Sequence, residues 1–118
     1  MQSTCDVTIR RLPDAAVLEL RGELNASAAG VLLPAYDEAV REGNPHTVLI
    51  DFTDVDYINS TGIALVVGVL GRARAEGRSI VACGLSEHYR EIFSITRLSD
   101  FMEIEADVES ALADRAGA

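Results

Sequence analysis

Few side chains in this 118-residue chain could act on a substrate. Histidine occurs twice, as His46 and His88, and cysteine twice, as Cys5 and Cys83, with no Cys-x-x-Cys. That spacing does not make a zinc cage. All ten cations are arginine, which excludes a catalytic lysine or a Schiff base. Asp51, Asp54 and Asp56 cluster in sequence, but a run of acids is ordinarily a solvated surface. Ser60 is a candidate nucleophile only if a base lies within hydrogen-bond reach, and neither histidine is near it in sequence. No Gly-x-Ser-x-Gly elbow, P-loop or Gly-x-Gly-x-x-Gly turn is present. The expectation is a protein that is not an enzyme, with no catalytic residue, no metal site and no cofactor of its own.

Ser60 fits a different chemistry. It lies in the segment Asp51–Leu70 (DFTDVDYINSTGIALVVGVL), where a buried strand ends and a helix begins. Serine is a favoured N-cap, because its hydroxyl satisfies a backbone N–H that the helix leaves unpaired. The same hydroxyl could instead carry a phosphate. At a helix start that group meets the positive end of the macrodipole, so the fold tolerates it. It adds about −1.5 to −2 charge to whatever surface surrounds it. Both readings stay open on the residues alone. A third, an anion held non-covalently at Ser60–Gly62, is weakened because no basic side chain adjoins the turn and Arg72 is almost three helical turns on. On a helical wheel Ile63, Val66, Val67 and Leu70 form the inward face. Thr61, Leu65, Gly68 and Arg72 point the other way, an apolar and small stripe where charge is usual, and so a candidate docking face or a face covered by another helix.

The elements that position this segment alternate strand with helix. Asp6–Leu12 and Ala16–Arg21 flank a Pro13-Asp14 turn and read as an antiparallel hairpin. A helix follows, capped by Asn25 or Ser27, with Leu32, Ala35, Tyr36, Ala39 and Val40 on one stripe. Pro34 requires it to start near Leu33 or to bend there, and Gly43-Asn44-Pro45 stops it. Thr47–Phe52 is a buried strand, Thr53–Asn59 a polar loop, and Ser60 to about Glu76 a helix ended by Gly77. Ser79–Cys83 is another buried strand. Ser86 caps a helix to about Ile95, with Tyr89, Ile92 and Phe93 on one face. Phe101–Ile104 reads as the last strand and Asp107–Arg115 as a terminal helix, with Asp114–Ala118 frayed. The fold class is α/β: a single mixed β-sheet, with an antiparallel N-terminal hairpin followed by parallel strands, and about four helices in one domain spanning 1–118.

Composition narrows the partners. Nineteen acids against ten arginines give a net charge of −9, which argues against nucleic acid, whose phosphates need clustered positive charge. Apolar residues at 48% and charged residues at 25% are ordinary globular values, which argues against a disordered or low-complexity chain. The start MQSTCDVTIRR lacks the apolar core of a signal peptide. The longest apolar stretch, within Ile63–Leu70, falls far short of the roughly 20 residues that span a bilayer. The expected location is cytoplasmic, without membrane insertion.

Four landmarks together resemble the STAS domain family, of the anti-sigma factor antagonist type. They are Leu20-Arg21-Gly22-Glu23-Leu24, Val48-Leu49-Ile50-Asp51-Phe52, Tyr57-Ile58-Asn59-Ser60-Thr61-Gly62-Ile63 and Ala82-Cys83-Gly84. The resemblance covers roughly Asp6 to Leu112. It implies a STAS-like fold and a phosphoacceptor at Ser60. It implies a bacterial partner-switching phosphoprotein in transcription regulation, whose partner is an anti-sigma factor that is also a serine kinase. A PP2C-type phosphatase would reset the serine, and ATP and magnesium would belong to the kinase. Contacts to the partner are expected at Asn25, Asn59, Thr61, Gly62, Leu65 and Arg72. Positions 25 and 59 are Asn where the family pattern often has Asp. Some STAS domains are instead non-phosphorylated docking subunits of a transporter ATPase or a signalling scaffold, which is the alternative reading.

Overall fold

Pro13 and Asp14 form a two-residue turn, with Asp14 in the left-handed region at φ 60°. The turn folds β1 (Cys5–Leu12) onto β2 (Ala15–Leu24). Their antiparallel register is unbroken from Leu12↔Ala15 to Cys5↔Gly22. The structure, a computed structural model, describes residues 5–116, with side chains to residue 113. β3 (Thr47–Ile58), β4 (Ser79–Cys83) and β5 (Glu103–Glu105) then add in parallel, in the spatial order β1-β2-β3-β4-β5. Among the described residues four helices connect and close the sheet: α1 (Ala29–Arg41), α2 (Ser60–Ala75), α3 (Glu87–Ile95) and α4 (Val108–Ala116). The mixed sheet with an antiparallel N-terminal hairpin and four helices is the architecture that the sequence pattern predicts.

Each crossover steps the same way along the sheet, so right-handed connections put α1, α2 and α3 on one face. There Leu32, Tyr36 and Ala39 of α1, Val66, Val69, Leu70 and Ala73 of α2, and Phe93 of α3 pack on Leu18, Leu20, Val48, Ile50, Phe52 and Ala82. Phe93 meets Phe52 edge to face, with centroids 5.9 Å apart. The second face is smaller: Val17, Leu49, Val81 and Cys83 are covered by Val108 and Ala111 of α4. Strands buried on both sides explain why Thr47–Ile50 and Ile80–Cys83 read as continuous apolar runs. The phenol of buried Tyr36 donates to Glu76 Oε1 at 2.8 Å, and Arg78 Nε donates to the same oxygen at 3.0 Å. The Arg78 and Tyr36 hydrogen bonds hold the Glu76 carboxyl below its usual range. Burial, reinforced by Glu76, pushes the Tyr36 phenol up. This network fastens α1 to the end of α2.

Three sequence expectations change. β3 does not stop at Phe52. It runs to Ile58, because Arg21↔Asp54, Gly22↔Val55, Glu23↔Tyr57 and Leu24↔Ile58 continue the pairing past two irregularities. α1 starts at Ala29 rather than Leu33, after a 3₁₀ turn at Ala26–Ala28, and contains Pro34. Residues 30 and 34 are both exposed, so the carbonyl that Pro34 leaves unpaired faces water. Leu98–Asp100 is a 3₁₀ turn preceded by Arg97 in the left-handed region, which delays the last strand to Glu103. Phe101 is therefore outside the sheet, 52% exposed, with the Arg74 guanidinium 5.1 Å above its ring. At the C-terminus α4 carries the backbone to Ala116; the remainder of the tail expected to fray lies outside the described residues.

Candidate functional site

The site is assembled where β2 and β3 finish side by side. Asn59 N–H donates to the Leu24 carbonyl at 3.2 Å, bridging the two strand ends. α3 braces the same corner: the Tyr89 hydroxyl accepts the Ile58 N–H at 2.9 Å. The bridge fixes Asn59 in extended backbone (φ −99°, ψ −177°), the conformation of an N-cap. Its Oδ1 accepts the Gly62 N–H at 2.9 Å, and its carbonyl accepts the Ile63 N–H at 3.0 Å to begin α2.

Ser60 is therefore not the cap. It is the first residue inside the helix, it is exposed, and among the described residues its hydroxyl has no hydrogen-bond partner. The N-cap reading of Ser60 is overturned because the residue before it takes that role. Asn and Asp cap about equally well, so Asn59 keeps the geometry without the charge.

The neighbouring turn is built the same way. Asn25 follows Leu24 directly, and its Oδ1 accepts from the Ser27 N–H (3.0 Å) and hydroxyl (2.6 Å). Asn25 Nδ2 donates to Glu23 Oε1 at 3.4 Å. The Leu24 to Asn59 bond thus joins the segments carrying Asn25 and Asn59, which the sequence placed together only through the family pattern.

The other expected contacts divide. Thr61 is exposed beside Ser60. Gly62 is buried, and a Cβ there would lie 2.0 Å from the Leu24 carbonyl oxygen. As a surface contact Gly62 is thus corrected: its role is to let α2 approach the end of β2. Leu65 is half-buried and packs against the core. Arg72 is exposed but paired with Asp37 of α1, which raises its already high pKa. It also stands about 18 Å along the helix from Ser60, too far to neutralise a phosphate there.

The inward face is rotated from the expected one. Val69, not Val67, is buried, and Val67 is 46% exposed. The open stripe runs Ser60, Ala64, Val67, Gly68, Gly71, with Thr61 and Arg72 at its margin. The sequence does not place Ala64 and Val67 on the open side, because α2 is apolar almost all round, which leaves its rotation poorly determined. Tyr57, 51% exposed three residues before Ser60, lies in a segment whose polarity predicts a loop, so the sequence does not mark it as a contact. Its signal was its place in a strand that stays paired. Asp51 serves locally, accepting from the Thr53 N–H (3.0 Å) and hydroxyl (2.5 Å). Among the described residues no cluster of three or more His, Cys, Asp or Glu could hold a metal ion. What the arrangement offers is an unengaged hydroxyl at the positive end of a sixteen-residue helix, next to an uncharged stripe.

The STAS domain model matches residues 6–111. The anti-sigma-B factor antagonist of Listeria monocytogenes is 36% identical over 85 residues, 71% of this chain and 73% of the relative. That of Bacillus subtilis is 26% identical over 107 residues, 91% of this chain and 96% of the relative. Among solved structures, the anti-sigma factor antagonist SpoIIAA in its unphosphorylated form superposes with a TM-score of 0.73 at 19% identity, covering 95% of this chain and 98% of that one. A sulfate transporter family protein from Wolinella succinogenes superposes with a TM-score of 0.76 at 18% identity, covering 88% of this chain and 87% of that one. The last two likenesses concern the fold alone. The family match, the Listeria relative and the Ser60 corner agree: the chain is a STAS-domain protein of the anti-sigma factor antagonist family.

Proposed function

We propose that this chain is a partner-switching regulator that sequesters an anti-sigma factor and releases it when Ser60 is phosphorylated. The anti-sigma factor is itself the serine kinase in this reading, a PP2C-type phosphatase restores the hydroxyl, and the exchange takes place in the cytoplasm. The chain contributes a surface and a phosphoacceptor rather than a reaction of its own. The observation that carries the proposal is the exposed, unengaged Ser60 hydroxyl, left free because Asn59 does the capping. The partner would rest on the open stripe of α2, with Thr61 and Tyr57 at its rim. A phosphate on Ser60 puts about two negative charges at the head of that stripe. A largely apolar interface must then desolvate those charges or separate. The helix itself gains from an anion at its start, so the fold survives the change that breaks the complex.

Incubation with histidine-kinase-like serine kinases from the same genome tests this by intact mass. One phosphate is expected on the wild type and none on Ser60→Ala. The second reading is a docking subunit of a transporter ATPase or a signalling scaffold, which the shared fold of a sulfate transporter family protein favours. Co-purification with such an ATPase, together with no phosphate transfer from any of those kinases, would decide for it.

A further inference from the structure

We propose that two copies of this chain associate through β1, paired antiparallel about a two-fold axis at Thr8. β1 is the last strand at one side of the sheet, and β2 is its one strand neighbour among the described residues. It is eight residues long, holds no proline, and pairs with β2 without a bulge. Edge strands that are to stay single are usually shortened, bulged or broken by proline, because a straight edge offers its N–H and C=O groups to another chain. At the opposite side, β5 has three residues, two of them glutamate.

The side chains on β1 select the partner. Alternate residues of an edge strand turn both backbone polar groups outward, so two identical edges can pair only in registers centred on a residue. Centred on Thr8, the sequence Asp6-Val7-Thr8-Ile9-Arg10 is complementary to itself. Asp6 meets Arg10 of the second copy, Val7 meets its Ile9, Thr8 meets its Thr8, and the ion pair forms twice by symmetry. No like charges face each other. Centred on Val7 or on Ile9, both ion pairs are lost. Asp6, Thr8 and Arg10 share the exposed face and Val7 and Ile9 the half-buried one, so each pair lies on a matching side of a continuous sheet. Arg10 is free enough to take part: its contact with Glu19 is 3.6 Å and its side chain is 47% exposed. On the helical face Arg11 is drawn back onto α1, donating to Glu42 at 3.1 Å, which clears the strand edge.

One strand pair is a small interface, so the association is expected to be reversible and concentration-dependent. Sedimentation of the wild type should move from monomer toward dimer over about a hundredfold rise in concentration to ~1 mM. Asp6→Arg and Arg10→Asp should each abolish the shift by setting like charges opposite one another. The double variant, which exchanges the two charges, should restore it. Mild oxidation of Thr8→Cys gives a second measurement. Its two sulfurs would meet on the axis, where facing Cα atoms lie about 4.5–5.5 Å apart, inside the range a disulfide spans. Asp6→Cys, whose mate is Arg10, should link far more slowly, and the native Cys5 and Cys83 are buried. A wild type that stays monomeric throughout, a double variant no better than the singles, or Thr8→Cys linking no faster than Asp6→Cys would overturn the proposal. None of these readouts involves Ser60, so they stand or fall separately from the switching mechanism.

Discussion

Three glycines of α2 should answer the same substitution with opposite signs. At Gly62 a Cβ would lie 2.0 Å from the Leu24 carbonyl oxygen, 2.8 Å from its carbon and 3.1 Å from Ile58 Cγ2. The two nearest atoms are backbone, in the strand end that also accepts the Asn59 N–H, so they cannot swing aside as a side-chain tip does. Overpacking costs about 1–3 kcal/mol, and contacts this short against backbone put Gly62→Ala at or above ~3 kcal/mol. At Gly68 and Gly71 nothing lies within 4 Å of the added methyl. There the substitution removes only the entropic penalty of a mid-helix glycine, a gain of roughly 0.5–1 kcal/mol each. Gly68→Ala/Gly71→Ala should therefore gain ~1–2 kcal/mol, or about 4–8 °C in melting temperature. Urea denaturation followed by circular dichroism measures all three variants. Gly62→Ala within ~0.5 kcal/mol of wild type, or Gly68→Ala less stable than wild type, would refute the packing argument. The stabilised double variant should also bind the anti-sigma partner more weakly, since two methyls then stand on the open stripe.

Other predictions concern the cap, the acid limb and the strand end. Asn59→Ala should cost ~1 kcal/mol and Asn59→Asp almost nothing, whereas Ser60→Ala should stay within ~0.5 kcal/mol of wild type; thermal melts of the three separate cap from passenger. Glu76 and Asp107 have carboxyls held below their usual values of 4.5 and 3.8, by the Arg78 and Tyr36 hydrogen bonds and by the Ser110 hydrogen bonds respectively. A depressed pKa contributes stability above the unfolded value and loses it as pH falls through the folded one. Stability should therefore decline below about pH 4.5, and Glu76→Gln should flatten that decline in pH-dependent melts. Tyr89→Phe removes the hydroxyl that accepts the half-buried strand end's Ile58 N–H. It should cost ~1–3 kcal/mol and speed hydrogen exchange at Ile58.

Much of the fold is legible because its strands announce themselves. TVLID and SIVAC carry β-branched and apolar runs that only a strand covered on both faces uses, and Ser86 caps α3 as expected, accepting the Tyr89 N–H at 3.3 Å. What is not legible depends on pairing across the chain. Asp54 and Asp56 look like loop residues, and only the partner strand β2 makes them part of β3. Asn59 and Ser60 are equally good caps in isolation; the Leu24 carbonyl decides between them by fixing the backbone of Asn59. Gly62 looks like part of a surface motif, yet its reason is the carbonyl beneath it. In α2, valines at 66, 67 and 69 leave the wheel free to rotate, so the buried residue of the last two is settled by packing on the sheet.

The central claim is that one covalent charge at Ser60 separates folding from association. Calorimetric titration of the anti-sigma partner with unmodified and Ser60-phosphorylated chain, each with its melting curve, tests it most directly. The account predicts at least a tenfold loss of affinity, about 1.4 kcal/mol, with the melting temperature moved by no more than ~2 °C. Equal affinity for both forms, or a phosphorylated chain that no longer melts cooperatively, would contradict it.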